Sequence, residues 1–233
     1  MKNNNRKQKA FTLAETLITL GVIGIVAALT LPSIIANYQK KILKNRFKKM
    51  YSELTQATQL LAVNEDINIF EYAKSHDSQA ALDKLMSQMK KTSRITGTRG
   101  HYNYLYQPLH PDKKHRPGQY CDFTTTYASI DGIFFVMDNS PNDLSISDPK
   151  LCVDTNGYSL PNALGYDLFV FIFTPDGKLV PFTYKWNVLV TTEKLEDIST
   201  QCTPSNGFSC SFYALEDKNP QNPNQNYWED FLK

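Results

Sequence analysis

Read for its alternation of apolar and polar positions, the chain divides sharply at its start. Residues 2 to 9 carry Lys2, Arg6, Lys7 and Lys9 with no acid. From Phe11 to Leu31 follow 21 residues with a single formal charge, Glu15. As a helix this run is about 31 Å long at ~1.5 Å per residue, the thickness of a bilayer core. Beyond Pro32 a helical period continues. Ile35, Tyr38, Ile42, Met50, Leu54 and Leu61 fall on one stripe, which predicts one long helix to about Val63. Its first half is membrane-spanning, and its second half packs on a body.

Further along, residues 75–91 read as a short amphipathic helix with Leu82, Leu85, Met86 and Met89 on its apolar face and Asp77 as its cap. Residues 92–129 show no clear period. Strand patterns appear at 132–138 and 167–173. Thr174-Pro175-Asp176-Gly177 is a turn, since Pro presets φ and Gly admits positive φ. A return strand at 178–184 completes a hairpin, with Pro181 placing it at an edge, and 186–192 adds a further strand. The C-terminal tail reads as irregular over most of its length. The expected fold is α+β, a long N-terminal helix packed on an antiparallel sheet.

Charge and cysteines refine this layout. The net charge is +2, so no overall field points to nucleic acid. A second basic block, Lys40, Lys41, Lys44, Arg46, Lys48 and Lys49, follows the apolar run. It suits anionic lipid headgroups, acids on a neighbouring subunit, or a solvated helix face. With bases on both sides of the span, the positive-inside rule does not orient it. Cys121, Cys152, Cys202 and Cys210 all follow the span, and an even count suggests two disulfides in an oxidising compartment. Of three connectivities, Cys121–Cys152 with Cys202–Cys210 closes local loops. That places the body outside the cytoplasm.

A carboxylate inside a span costs about 2.5–3.5 kcal/mol at the helix centre, less near an end, and calls for a partner. No Lys, Arg or His lies between Phe11 and Tyr38. A free α-amine would serve if the chain were cut just before the apolar run. The basic leader, the small residue Ala10, Phe11-Thr12-Leu13-Ala14-Glu15, the apolar run and Pro32 resemble the N-terminus of type IV pilins and type II secretion pseudopilins. The resemblance covers about residues 7–38. It implies cleavage between Ala10 and Phe11 by a prepilin peptidase and methylation of the Phe11 amine. It also implies assembly in which Glu15 pairs with a neighbour's Phe11 amine and is unsatisfied in the lone subunit. The family most often has Gly where this chain has Ala10. Gly21, Gly24, Ala27 and Ala28 allow close helix approach. Pro32 removes a backbone donor and is expected to kink or loosen the helix.

The resulting division is a leader at 1–10, a long helix at 11–63 spanning the membrane over about 11–31, and an exported pilin-like domain at 64–233. The expected function is a structural subunit of a type IV pilus or secretion pseudopilus. Its partners would be the prepilin peptidase, other subunits, an inner-membrane assembly platform and membrane lipid. It would reside in the cytoplasmic membrane before assembly and in the filament afterwards. The alternative is a membrane-anchored extracytoplasmic binding module that does not polymerise.

No catalytic motif is present, neither G-x-S-x-G, Walker A, H-E-x-x-H nor G-x-G-x-x-G, and an enzyme is not expected. Asp154, Asn156 and Asp167 are hard oxygen donors suited to calcium, which some pseudopilins bind, although the EF-hand spacing is absent and Asp-x-Asn-Gly is also plain turn chemistry. A zinc site lacks the usual paired cysteines. His101, His110 and His115 share a basic loop with Lys113, Lys114 and Arg116, which reads as solvated rather than DNA-binding.

Overall fold

In the computed structural model the described residues are 12–96, 125–138, 149–159, 161, 163–182, 184–185, 188–189, 202–203, 207 and 209–232. Two compact units divide the chain, residues 1–39 and 40–233. Helix α1, Leu13–Glu65, runs through both. It is unbroken at Pro32, where the expected loosening reduces to one missing N–H donor. Hydroxyls of Thr30 and Ser33 donate to the carbonyls of Val26 and Thr30 beside it, each at 2.9 Å.

In the first unit the helix is predominantly apolar and, among the described residues, largely exposed. Leu13, Leu17, Ile18, Leu20, Val22, Ile23, Ile25 and Val26 are all exposed. That exposure continues past the proline to Ile34, Ile35 and Tyr38. The expectation that Ile35 and Tyr38 begin the body-facing stripe is therefore corrected.

The second unit holds the body. Here α1 buries Leu43, Phe47, Met50, Leu54, Ala57, Thr58 and Leu61, a spacing of three and four that keeps one face inward. Two short helices follow. Helix α2, Ile69–Ser75, is capped by Asn68, and α3, Ser78–Met86, by Asp77, whose carboxylate accepts from Ala80 N at 2.7 Å. Helix α2 lacked the length for a periodic signal, whereas the cap at Asp77 was readable.

A six-stranded antiparallel meander in the order β1 to β6 forms the sheet. Its strands are Thr92–Thr96, Thr125–Ser129, Phe134–Asp138, Lys150–Asp154, Leu168–Phe173 and Leu179–Pro181. Two further short strands, Tyr184–Lys185 and Val188–Leu189, pair with each other. The β5–β6 hairpin is the expected one, with Gly177 at φ +78° in its turn and Pro181 on the last strand in the order.

Side chains alternate across the sheet. Phe135, Met137, Leu151, Val153, Phe169, Phe171 and Phe173 face α1 and the other helices. Phe134, Val136, Cys152, Val170 and Ile172 form a second buried cluster on the opposite side. Strand β4 is buried along its whole length, including Lys150 and Asp154 at its ends.

The C-terminal tail has no helix or strand over 217–226, as expected, but ends in an ordered turn that was not expected, and a short helix precedes it. Helix α4, Cys210–Glu216, and a π-helical turn, Tyr227–Phe231, lie against the core. The Trp228 indole N–H donates to Ala214 O at 2.9 Å, and its ring lies 5.5 Å from Phe47 and 5.8 Å from Phe169.

Candidate functional site: a capped, uncovered apolar helix

The head of α1 is closed by a reciprocal cap. Thr12 donates its backbone N–H and its hydroxyl to Glu15 Oε2, at 2.9 and 3.0 Å. The Glu15 N–H donates in return to Thr12 Oγ1 at 3.2 Å. This is the capping box, in which Thr at the N-cap and Glu three residues on satisfy each other's orphan donors. It also sets a carboxylate at the positive end of the helix dipole.

The expectation that Glu15 lacks a partner within its own chain is thereby corrected. One carboxylate oxygen is held within the chain; the described hydrogen bonds leave Oε1 free of them. The signal that could have found Thr12 was in view, since Thr12-x-x-Glu15 is itself the capping-box pattern. Thr16 and Thr19 return their hydroxyls to helix carbonyls, at 2.8 Å to Thr12 O and 2.9 Å to Glu15 O, so neither adds an unsatisfied donor to the apolar surface. Ala10 and Phe11 lie outside the described residues.

Below the cap, α1 is long and apolar enough to cross a membrane, and none of its most apolar stretch is buried. A Cβ added at Gly21 or Gly24 would meet nothing within 4 Å, so both glycines are open to another helix.

The basic block after the span is largely used within the chain. Lys44 pairs with Asp217 at 2.5 Å, and Lys49 pairs with Asp131 and, at 3.8 Å, with Glu53. The hydrogen bond from Lys49 holds the Asp131 carboxyl below its ordinary range. Lys40 donates to Glu229 O at 3.2 Å, and Arg46 to Thr155 O at 3.3 Å. Four of the six bases thus fasten α1 to its own body. Lys41 and Lys48 remain on the outward side, exposed.

Asp154, Asn156 and Asp167 do come together, at the loop between β4 and β5. Asp154 Oδ1 accepts from Asn156 N at 3.0 Å and Gly157 N at 2.8 Å. Asp167 Oδ1 accepts from Ala163 N at 2.6 Å, while its carbonyl takes Thr155 N and Thr155 Oγ1. Both aspartates are buried. Burial, then the neighbouring Asp167 charge, pushes the Asp154 carboxyl well up, against the pull of the two N–H groups. Among the described residues the buried Asn156 Oδ1 has no hydrogen-bond partner. As a donor set this is two carboxylates already engaged by backbone N–H groups and one amide oxygen. Among the described residues no group of three or more His, Cys, Asp or Glu could hold a metal. The arrangement clamps a turn, with Gly157 at φ +64° and no room for a side chain, since an added Cβ would sit 2.6 Å from Gly132 O.

Cys202 and Cys210 form a disulfide that closes a short loop before α4. Cys152 is also disulfide-bonded. Cys121 lies outside the described residues, as do His101, His110 and His115 and the basic residues of their loop. His76 stacks on Tyr72 at 3.9 Å, on the exposed end of α2.

Comparison with known proteins agrees with this geometry. Residues 5–31 match the prokaryotic N-terminal methylation motif, the signal of type IV pilins and pseudopilins. A protein with that signal, an uncovered apolar helix and an antiparallel sheet body is pilin-like in class. Residues 33–219, most of the chain, match a family of unknown function, DUF6613, and the chain belongs to that family. No curated protein and no solved structure matches it.

Proposed function

We propose that the chain is a structural subunit of a type IV pilus or type II secretion pseudopilus. The observation that carries this reading is the capped, wholly uncovered apolar helix with Glu15 in its first turn, lying within the methylation motif. A prepilin peptidase cuts between Ala10 and Phe11. Thr12 keeps its amide N–H after that cut, so the cap survives it. Glu15 then offers its other oxygen to the methylated Phe11 amine of a neighbour, and an inner-membrane platform drives assembly. The Cys202–Cys210 disulfide supports an extracytoplasmic body. Pro32 marks the place where the helix holds one donor fewer. The role is structural, without catalysis.

The test is the intact mass of the membrane-extracted protein with its N-terminal peptide sequenced. A chain beginning at Phe11 with one added methyl is expected. A chain beginning at Met1 would sink the filament reading in favour of a membrane-anchored binding module, because Glu15 would then have no free amine to meet. Calcium at Asp154, Asn156 and Asp167 is a separate proposal, decided by whether the melting temperature of the purified chain moves between calcium and chelator.

A further inference from the structure

The chain holds two Asn-Gly pairs, Asn156–Gly157 and Asn206–Gly207. Such a pair is chemically labile, because a glycine carries no side chain to hinder attack by its nitrogen on the amide before it. The glycine nitrogen bonds to the asparagine Cγ, and its proton leaves with the side-chain amino group as ammonia. Water then opens the cyclic imide to aspartate or to isoaspartate, in which the backbone runs through the side-chain carbon. The attack requires nitrogen and carbon to reach a near-attack geometry.

At Asn156 the glycine cannot be exchanged. Gly157 sits at φ +64°, and an added Cβ would lie 2.6 Å from Gly132 O and 3.2 Å from Phe134 Cζ. The backbone around the pair is pinned from several sides. Thr155 N donates to Asp167 O at 2.8 Å, and Thr155 O accepts from Arg46 at 3.3 Å. Asn156 N and Gly157 N both donate to Asp154 Oδ1, at 3.0 and 2.8 Å. Asn156 O accepts from Ser159 N at 3.4 Å. The attacking nitrogen is therefore a donor already in use, and the peptide planes on both sides of Asn156 are held. The side chain is held less, since among the described residues its buried Oδ1 has no hydrogen-bond partner.

We infer that Asn156 is a latent deamidation site, and that Asp154 keeps it closed by holding the Gly157 N–H. Asp154 is a positioning residue here. It restrains the nucleophile and does not touch the amide carbon. Conversion would set a new carboxylate next to the buried Asp154, where like charges oppose each other. Isoaspartate would also lengthen a turn that has no room at Gly157.

The test is amide-to-acid conversion at Asn156, read by peptide mass after the full chain is incubated in detergent in mildly alkaline buffer. The folded chain is expected to convert about tenfold or more slowly than the chain unfolded in guanidinium, the factor that one hydrogen bond to a charged group is worth. Equal rates overturn the inference. Faster conversion in the folded chain also overturns it, and would make Asp154 a base that draws the Gly157 proton. In guanidinium Asn156 and Asn206 should convert alike; a slow Asn156 there would place its resistance in the sequence and not in Asp154. Asp154→Ala should bring the folded rate close to the unfolded one. Asp154→Asn keeps an oxygen for both N–H groups and should stay slow. Ile69→Ala weakens the core beside the β5–β6 turn, where Asn68 bonds Pro175 O, at the other end of β5. It should leave Asn156 slow. If it speeds conversion as much as Asp154→Ala, the fold as a whole protects the site and Asp154 has no special part. Should Asp154→Ala fail to fold, hydrogen exchange at Gly157 of the unmodified chain answers instead. Slow exchange is expected there, and exchange at the rate of an open amide overturns the clamp.

Discussion

Thr12 and Glu15 hold each other through three hydrogen bonds at the first turn of α1, using one carboxylate oxygen and the backbone N–H of Glu15, and the backbone N–H and hydroxyl of Thr12. This separates two jobs of Glu15 that a deletion confounds. Glu15→Gln keeps an acceptor for the cap and loses the charge. Glu15→Ala loses both, and a lost cap costs about 0.5–2 kcal/mol of helix stability. The expected result is that both variants fail to enter filaments, while circular dichroism in detergent shows early fraying only for alanine. Normal assembly by the glutamine variant would show that the cap, not the charge, is what assembly needs.

Phe47 joins α1 to the sheet. Its ring lies 4.5 Å from Phe169, 6.0 Å from Phe171 and 5.5 Å from Trp228, with no exposure of its own. Phe47→Ala removes a fully enclosed ring from this cluster and should cost about 3–5 kcal/mol. Denaturant unfolding of the full chain in detergent, followed by tryptophan fluorescence, measures it directly, since Trp228 reports on the same contact.

Asp154 gives a pH dependence with a definite sign. Its carboxyl is pushed up in the folded state by burial and by Asp167. A group whose folded value lies above its unfolded one binds more protons when folded. Stability therefore falls as pH rises from the ordinary carboxylate range, about 4, toward that raised value. Asp154→Asn keeps an oxygen for the N–H groups of Asn156 and Gly157 without the charge. It should flatten the melting temperature against pH and raise it near neutrality. A variant that melts lower at every pH would mean that the charge is stabilising where it stands.

The Cys202–Cys210 disulfide closes a loop of eight residues' separation immediately before α4. Chain-entropy reasoning assigns such a loop about 2–3 kcal/mol. Replacing both cysteines with serine should lower stability by that amount and loosen α4, whose Ser211 hydroxyl donates to Val170 O at 2.6 Å and accepts from Val170 N at 3.0 Å. Hydrogen exchange at Val170 is the sensitive readout. Unchanged protection there would show that α4 is held without the cross-link.

The layout was readable wherever one physical signal dominated. The apolar run, the Asp77 cap and the β5–β6 turn all rest on local chemistry, and all are present as expected. Strand β4 was not readable. Lys150 and Asp154 bracket Leu151, Cys152 and Val153, a sequence that reads as a loop until the sheet encloses both faces. The π-helical turn at Tyr227–Phe231 escaped because its aromatic side chains follow a run of Asn, Pro and Gln, and only docking against α1 orders them. The basic block was read outward, toward lipid, neighbouring subunits or solvent. Its acids Asp131 and Asp217 are distant in sequence, so their pairing with Lys49 and Lys44 could not be anticipated. For Glu15 the capping-box pattern with Thr12 was visible in the sequence and went unread.

The attachment of α1 to its body has a mechanical side. From Leu43 to Leu61 the helix is held by interdigitated side chains and by the ion pairs of Lys44 and Lys49, and it shares no strand pairing with the sheet. A pull along its axis loads these contacts together, in shear. A pull across the axis at residue 40 meets them one after another, beginning with Lys40 and Lys44. The body is thus built to bear tension along the helix and to peel when the force turns sideways.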